Sequence, residues 1–204
     1  MGLGKRMPTA AARGLGMNRF RVLVRLGLHA AALLATCNVA VAVYRFTSVE
    51  GGYSVAFPAA PQEQIDEDAN ARKVLNALNH DNGYYAVVHV DHKFDLNTDD
   101  ELEGNVTVFT KQINAPTQLR KKRKFTKGPG EQLSAEEFTF ESSELVGKGI
   151  VIVEGRRVYM VTAFGTKPHD RKAAVDRFMK SFKFKGPEKK EKAPQKEVKS
   201  KPKS

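Results

Sequence analysis

The chain has 204 residues, 41% of them hydrophobic, with one cysteine, no tryptophan and a formal net charge of +11. A single thiol excludes an internal disulfide framework and a cysteine-built metal site. The charge sits at the ends: the first 42 residues carry six basic and no acidic side chains, and residues 186–204 carry seven lysines against three glutamates, so the body between keeps only +1. That near-neutral body argues against specific nucleic-acid binding, which calls for a basic footprint on the fold itself.

Lys5, Arg6, Arg13, Arg19, Arg21 and Arg25 precede an apolar run from Leu26 to Val43 that contains Ala40-Val41-Ala42. A basic leader, a short apolar core and a small-x-small ending form the layout of a secretory signal. Residues 1–42 are therefore read as a signal peptide, with Met17 as an alternative start. An uncleaved membrane anchor is the main alternative, because the run approaches the length needed to span a bilayer. His29 and Asn38 inside it weaken that reading. A transit peptide ranks lower, since no serine occurs before Ser48. Leu34-Ala35-Thr36-Cys37 imitates a lipobox, with threonine where a smaller residue is usual. Cleavage after Ala42 removes the only cysteine. The expected location is the periplasm or the extracellular space, with membrane contact only through a retained leader.

From Tyr44 the pattern alternates in strand fashion. Tyr44 to Ser48 and Tyr53 to Phe57 flank Gly51-Gly52 and predict a hairpin, stopped by Pro58 and Pro61. The polar stretch Gln62 to Asn70 suits a loop. Val74, Leu75 and Leu78 fit a helix or a strand, so residues 71–79 stay open. After the Asp81-Asn82-Gly83 turn, Tyr84 to Val90 is aromatic and β-branched on both faces, as expected of a strand inside a sheet.

Thr98 and Glu101 match a capping box, and Leu102, Val106, Phe109 and Ile113 recur at helical spacing before Pro116. Two strands are predicted next, Leu119 to Thr126 and Leu133 to Glu141, around Gly128-Pro129-Gly130. Phe138 and Phe140 share a face of the second. Ile150 to Val153 and Val158 to Val161 flank Glu154-Gly155-Arg156-Arg157 as a further hairpin. Val175, Phe178, Met179 and Phe182 mark an amphipathic helix starting near Asp170. Residues 186–204, rich in Lys, Pro and Glu, are expected to be a disordered tail. The fold class is α+β: one domain over residues 43–185, an antiparallel sheet of about six strands with helices packed against it.

Two segments resemble exported bacterial domains of the PsbP-like class. One runs from Phe46 through Gly52-Tyr53-Ser54-Val55-Ala56-Phe57-Pro58. The other joins Arg157-Val158-Tyr159-Met160-Val161-Thr162 to Arg177-Phe178-Met179-Lys180-Ser181-Phe182. The resemblance spans residues 46–184 and is strongest at its two ends. It implies an antiparallel sheet with packed helices and a domain that binds or assists other proteins. It brings no catalytic residues.

Several clusters invite chemistry. His80, His89, Asp91 and His92 suggest a metal, and a metal-dependent hydrolase in the His80/His89/His92 region is the alternative function. Residues three apart on a strand face opposite ways, however, while zinc needs converging ligands. Asp95 to Asp99 imitates a calcium loop, but Asp100 stands where glycine belongs and Val106 where glutamate belongs, which points to a helix cap. Arg120-Lys121-Lys122-Arg123-Lys124 is the candidate anion-binding run. Its plainer reading is a sheet edge guarded by charge, offset by acids such as Asp99, Asp100 and Glu101. Asn105-Val106-Thr107 is a glycosylation sequon inside a predicted helix. Gly52 to Ala56 lacks the closing glycine of a nucleophile elbow, and Gly147-Lys148-Gly149 lacks the remainder of a dinucleotide fingerprint. The expectation is an exported, non-catalytic binding or accessory domain without cofactor, whose partner is a protein or an anionic polymer.

Overall fold

A computed structural model describes residues 43–167 and 171–185. The predicted signal peptide, its anchor, Met17 and lipobox alternatives, Asp170 and the Lys-rich tail lie outside the described residues. Among the described residues there are ten antiparallel strands in two sheets and two helices. The expected sheet of about six strands is thus too small: seven strands form one sheet and three form another.

The order of elements is β1 (Tyr44–Ser48), β2 (Tyr53–Phe57), β3 (Gln62–Glu67), β4 (Ala71–His80), β5 (Gly83–His92), α1 (Thr98–Gln112), β6 (Thr117–Gly128), β7 (Glu131–Glu141), β8 (Leu145–Glu154), β9 (Arg157–Thr166), α2 (Lys172–Ser181) and β10 (Lys183–Phe184). The large sheet runs β3-β4-β5-β9-β8-β7-β6 and the small one β1-β2-β10. The strand predicted over Tyr84–Val90 becomes β5, between β4 and β9. Each of the hairpins predicted around Gly51-Gly52 and Gly155 forms in register.

Both faces of the large sheet are covered. Val87, Ile150, Ile152, Tyr159 and Val161 pack on one face beneath the small sheet and α2, which supply Tyr53, Val55, Phe57, Val175 and Phe178. Val88, Phe138, Phe140, Val151 and Met160 pack on the other beneath Leu102, Val106 and Phe109 of α1. Alternation explains the split, because neighbouring residues of one strand serve opposite cores. Each fully buried aliphatic or phenylalanine side chain contributes about 1.5–3 kcal/mol relative to exposure.

Three local expectations are corrected. Gln62–Glu67 is a strand, not a loop: it is exposed throughout and pairs with β4 through the backbone and the Lys73–Asp66 and Arg72–Glu67 ion pairs at 3.1 Å and 3.3 Å. Residues 71–79 are strand, with Val74 and Leu75 both buried on opposite faces and Leu75 joining the core beneath α1. The cap of α1 is Asn97, whose Oδ1 accepts from the backbone N–H of Asp99 at 3.1 Å and of Asp100 at 3.4 Å, so Thr98 is the first helical residue. An asparagine side chain one position earlier reaches the free amides first.

The turn between β1 and β2 is tightly built. Gly52 has φ +65°, and a Cβ on Gly51 would lie 2.4 Å from the Tyr53 ring. Glycine is needed at both positions, one for its backbone and one for close approach. Ser48 Oγ closes the turn by accepting from Gly51 N–H at 2.9 Å.

Candidate functional site

The basic run falls on β6, which ends the large sheet and, among the described residues, pairs only with β7. One side of this twelve-residue strand is therefore free of a neighbouring strand. Register divides the run between faces. Lys121 and Arg123 share the face of Phe125, under the small sheet, whereas Arg120, Lys122 and Lys124 share the face covered by α1.

Acids offset part of the charge. Arg120 pairs with the buried Glu136, Lys122 Nζ with Asp99 Oδ1 at 2.7 Å, and Arg123 Nη2 with Glu137 at 3.1 Å. The hydrogen bond from Lys122 holds the Asp99 carboxyl below its ordinary range and raises the lysine in turn. Lys124 donates to Ser134 Oγ at 3.2 Å. Lys121 and Lys124 form no ion pair among the described residues. The run thus lies on a sheet edge, and Asp99 is one of the acids that offset its charge.

β10 brings a second feature to this edge. Among the described residues it pairs with β2 alone, and Phe182, Lys183 and Phe184 face Arg123, Lys124, Phe125 and Thr126 across an open groove of about 390 Å³. The floor is aromatic: Phe125 meets Phe182 at 5.8 Å and Phe184 at 5.6 Å between ring centroids. The Arg123 guanidinium lies 5.3 Å from the Phe125 ring centroid. Apolar surface and cationic side chains thus meet at a strand edge.

A second cluster lies where the β1–β2 turn meets the large sheet. His89 of β5 is 0% exposed, and neither ring nitrogen has a hydrogen-bond partner among the described residues. Tyr53 and Tyr159 flank it, with ring centroids 6.1 Å and 6.2 Å away. Asp91, two residues on and so on the same face, is held by the Arg157 guanidinium through both oxygens, with Nη2–Oδ2 at 2.8 Å. Glu50, on the turn, is held by Arg72 at 2.7 Å and 3.3 Å. Arg157 also donates to the Glu50 carbonyl at 2.9 Å, and the Tyr159 hydroxyl donates to the Gly51 carbonyl at 3.0 Å. One ligand atom each from Glu50, His89 and Asp91 lie within 4.8 Å of one another.

Burial pushes the His89 pKa down, and Arg157 adds to the shift while Asp91 and Glu50 oppose it. The imidazole is therefore held neutral. The Arg72 hydrogen bond holds the Glu50 carboxyl below its ordinary value. Burial pushes the Tyr53 and Tyr159 hydroxyls up to about 12, so both stay protonated.

The structure separates the three histidines singled out in the sequence. His80 ends β4 beside Asp81 at 3.4 Å. His92 faces away from His89 and packs its ring on Phe94 at 5.2 Å. The alternative hydrolase built on His80, His89 and His92 thus has no assembled centre. Asp91 does join His89, but Glu50 escapes sequence reasoning because only the hairpin carries it there. The calcium-like segment disperses too: Asp95 pairs with Arg156 at 2.8 Å and Asp99 with Lys122. Asn105 of the sequon donates to the Glu101 carbonyl at 2.8 Å within α1. No helix among the described residues is long and apolar enough to cross a membrane.

No family model and no curated protein matches the chain. Among solved structures, it is similar to cyanobacterial PsbP (CyanoP) from Synechocystis sp. PCC 6803, at 16% identity and a TM-score of 0.47, covering 74% of this chain and 98% of that one. A crystal structure from Bacteroides thetaiotaomicron VPI-5482 is similar at 12% identity and a TM-score of 0.31, covering 70% of this chain and 48% of that one. The PsbP neighbour is of the class that the two sequence segments resemble, and neither likeness carries a residue's role or a partner to this chain.

Proposed function

We propose that this chain is an exported, non-catalytic binding domain that receives an acidic, extended segment of a partner protein along β6. The observation that carries the reading is a free strand edge bearing five consecutive basic residues beside an aromatic-floored groove. Unpaired N–H and C=O groups on such an edge offer a template for strand addition. The charge on it does two things. It repels basic strands and makes pairing with neutral ones costly by desolvating the cations, which is the guarding role, and it admits an acidic one, which is selectivity by difference. The chain's own Lys-rich tail is a poor occupant, because its seven lysines repeat the charge of the groove.

The test uses the full chain and a labelled peptide alternating glutamate with valine. Binding is expected to weaken steeply as salt shortens the reach of exposed charges, to about 10 Å at 0.1 M. Lys121→Glu combined with Lys124→Glu should reduce it further, and a lysine–valine peptide should not bind. If an anionic polysaccharide binds as tightly as the peptide and with the same loss in the double variant, the partner is an envelope polymer and the strand-addition reading is rejected. If neither binds, the edge is guarded and nothing more.

A further inference from the structure

We propose that Glu50, His89 and Asp91 form a binding site for a divalent transition-metal ion of the zinc type. Three observations at a different part of the fold from β6 support it. The first is convergence: donor atoms from two neighbouring positions of β5 and from the β1–β2 turn lie within 4.8 Å of one another. Ligand bonds of about 2.0–2.2 Å are reached once the donors draw in from that spacing, which the exposed Glu50 side chain is free to do. The second is His89 itself. Buried polar groups are nearly always partnered, yet both nitrogens of this fully buried ring lack a hydrogen bond among the described residues, and one lies beside the two carboxylates.

The third is the support behind the carboxylates. Arg157 grips Asp91 and Arg72 grips Glu50. Each carboxylate oxygen has a second lone pair, so a guanidinium hydrogen bond leaves capacity for a metal bond. Metal-binding carboxylates are usually oriented by such outer partners. The two guanidiniums also balance the two carboxylates, so the cluster folds without uncompensated charge. The same balance lowers affinity for a cation, so the site suits reversible occupation better than permanent capture.

Donor chemistry selects the ion. A neutral imidazole favours zinc and its neighbours, whereas calcium prefers an all-oxygen shell. Entry is from the turn, where Glu50 is exposed and Val49 projects into solvent at 89% exposure.

The experiment is a calorimetric titration of the full chain with zinc, in a Cys37→Ser background that removes the one thiol. The expected result is a single saturable site that also raises Tm, since an ion bound only by the folded state stabilises it. Glu50→Gln should weaken binding about tenfold or more and abolish the Tm shift. It is the informative variant because Glu50 is exposed and its loss leaves the core intact. Asp91→Asn should act alike, circular dichroism confirming the fold, and His92→Gln should change nothing. Zinc binding that survives Glu50→Gln, that follows His80 or His92, or that calcium matches overturns the proposal. So does the absence of saturable uptake at millimolar zinc.

Discussion

The hydroxyl of Tyr159 donates to the main-chain carbonyl of Gly51, 108 residues earlier, at 3.0 Å. This bond ties β9 to the β1–β2 turn and so joins the two sheets at the rim of the His89 cluster. Tyr159→Phe keeps the ring and its packing but leaves the carbonyl without this donor. The expected loss is about 1–2 kcal/mol. Urea unfolding should show a lower midpoint with an unchanged slope, because the surface exposed on unfolding stays the same. An unaltered midpoint would show that the turn is held without this bond, by its contacts to Arg157, Arg72 and Ser48.

Gly149 tests the other core. A Cβ there would stand 2.2 Å from Cζ of Phe138, whose ring fills the space above β8. Phe138 is buried against Phe109 of α1 at 5.8 Å, so it cannot swing away freely. Gly149→Ala should therefore lower stability by about 1–3 kcal/mol, the usual cost of overpacking. Thermal unfolding reads it, and Phe138→Leu combined with Gly149→Ala should recover part of the loss.

The α1 cap separates two readings of one segment. The sequence pattern favours Thr98 with Glu101, and the structure uses Asn97. Asn97→Ala should cost about 1 kcal/mol, as loss of a cap does. Thr98→Ala should cost less, since Thr98 is the first residue of the helix and accepts neither amide. Equal losses, measured by denaturant midpoint, would restore the capping box.

The hairpins at Gly51-Gly52 and Gly155 are legible in the sequence because turn chemistry and alternation occupy adjacent positions. β3 is not, since Gln62–Glu67 buries no side chain and owes its conformation to pairing with β4. β10 is two residues long and is a strand only because β2 lies beside it. The same division holds for the sites. Arg120 to Lys124 is visible as a local run, but its groove needs Phe182, Lys183 and Phe184 from the far end of the chain. His89 and Asp91 are adjacent on one face by simple alternation. Glu50 joins them only through tertiary folding.

His89 makes the stability of the domain depend on pH in a defined window. Its folded pKa lies below the ordinary 6.5, with burial the main cause and Arg157 the next. The unfolded chain therefore binds the proton more readily. By linkage, stability is fully present above about pH 6.5 and falls as acidification proceeds toward the lowered folded value. Glu50 also has a depressed pKa, but its contribution is lost only below the usual carboxylate value of 4.5, so the two windows separate. Urea unfolding at pH 7.5 and 5.5 should show the wild-type chain less stable at the lower value. His89→Leu, which fills similar space without a titrating group, should flatten that difference while keeping the carboxylate-linked loss at lower pH. If the variant retains the same drop between the two pH values, the imidazole is not held neutral by its surroundings, and the turn opens to solvent more readily than its bonds to Tyr159 and Arg157 imply.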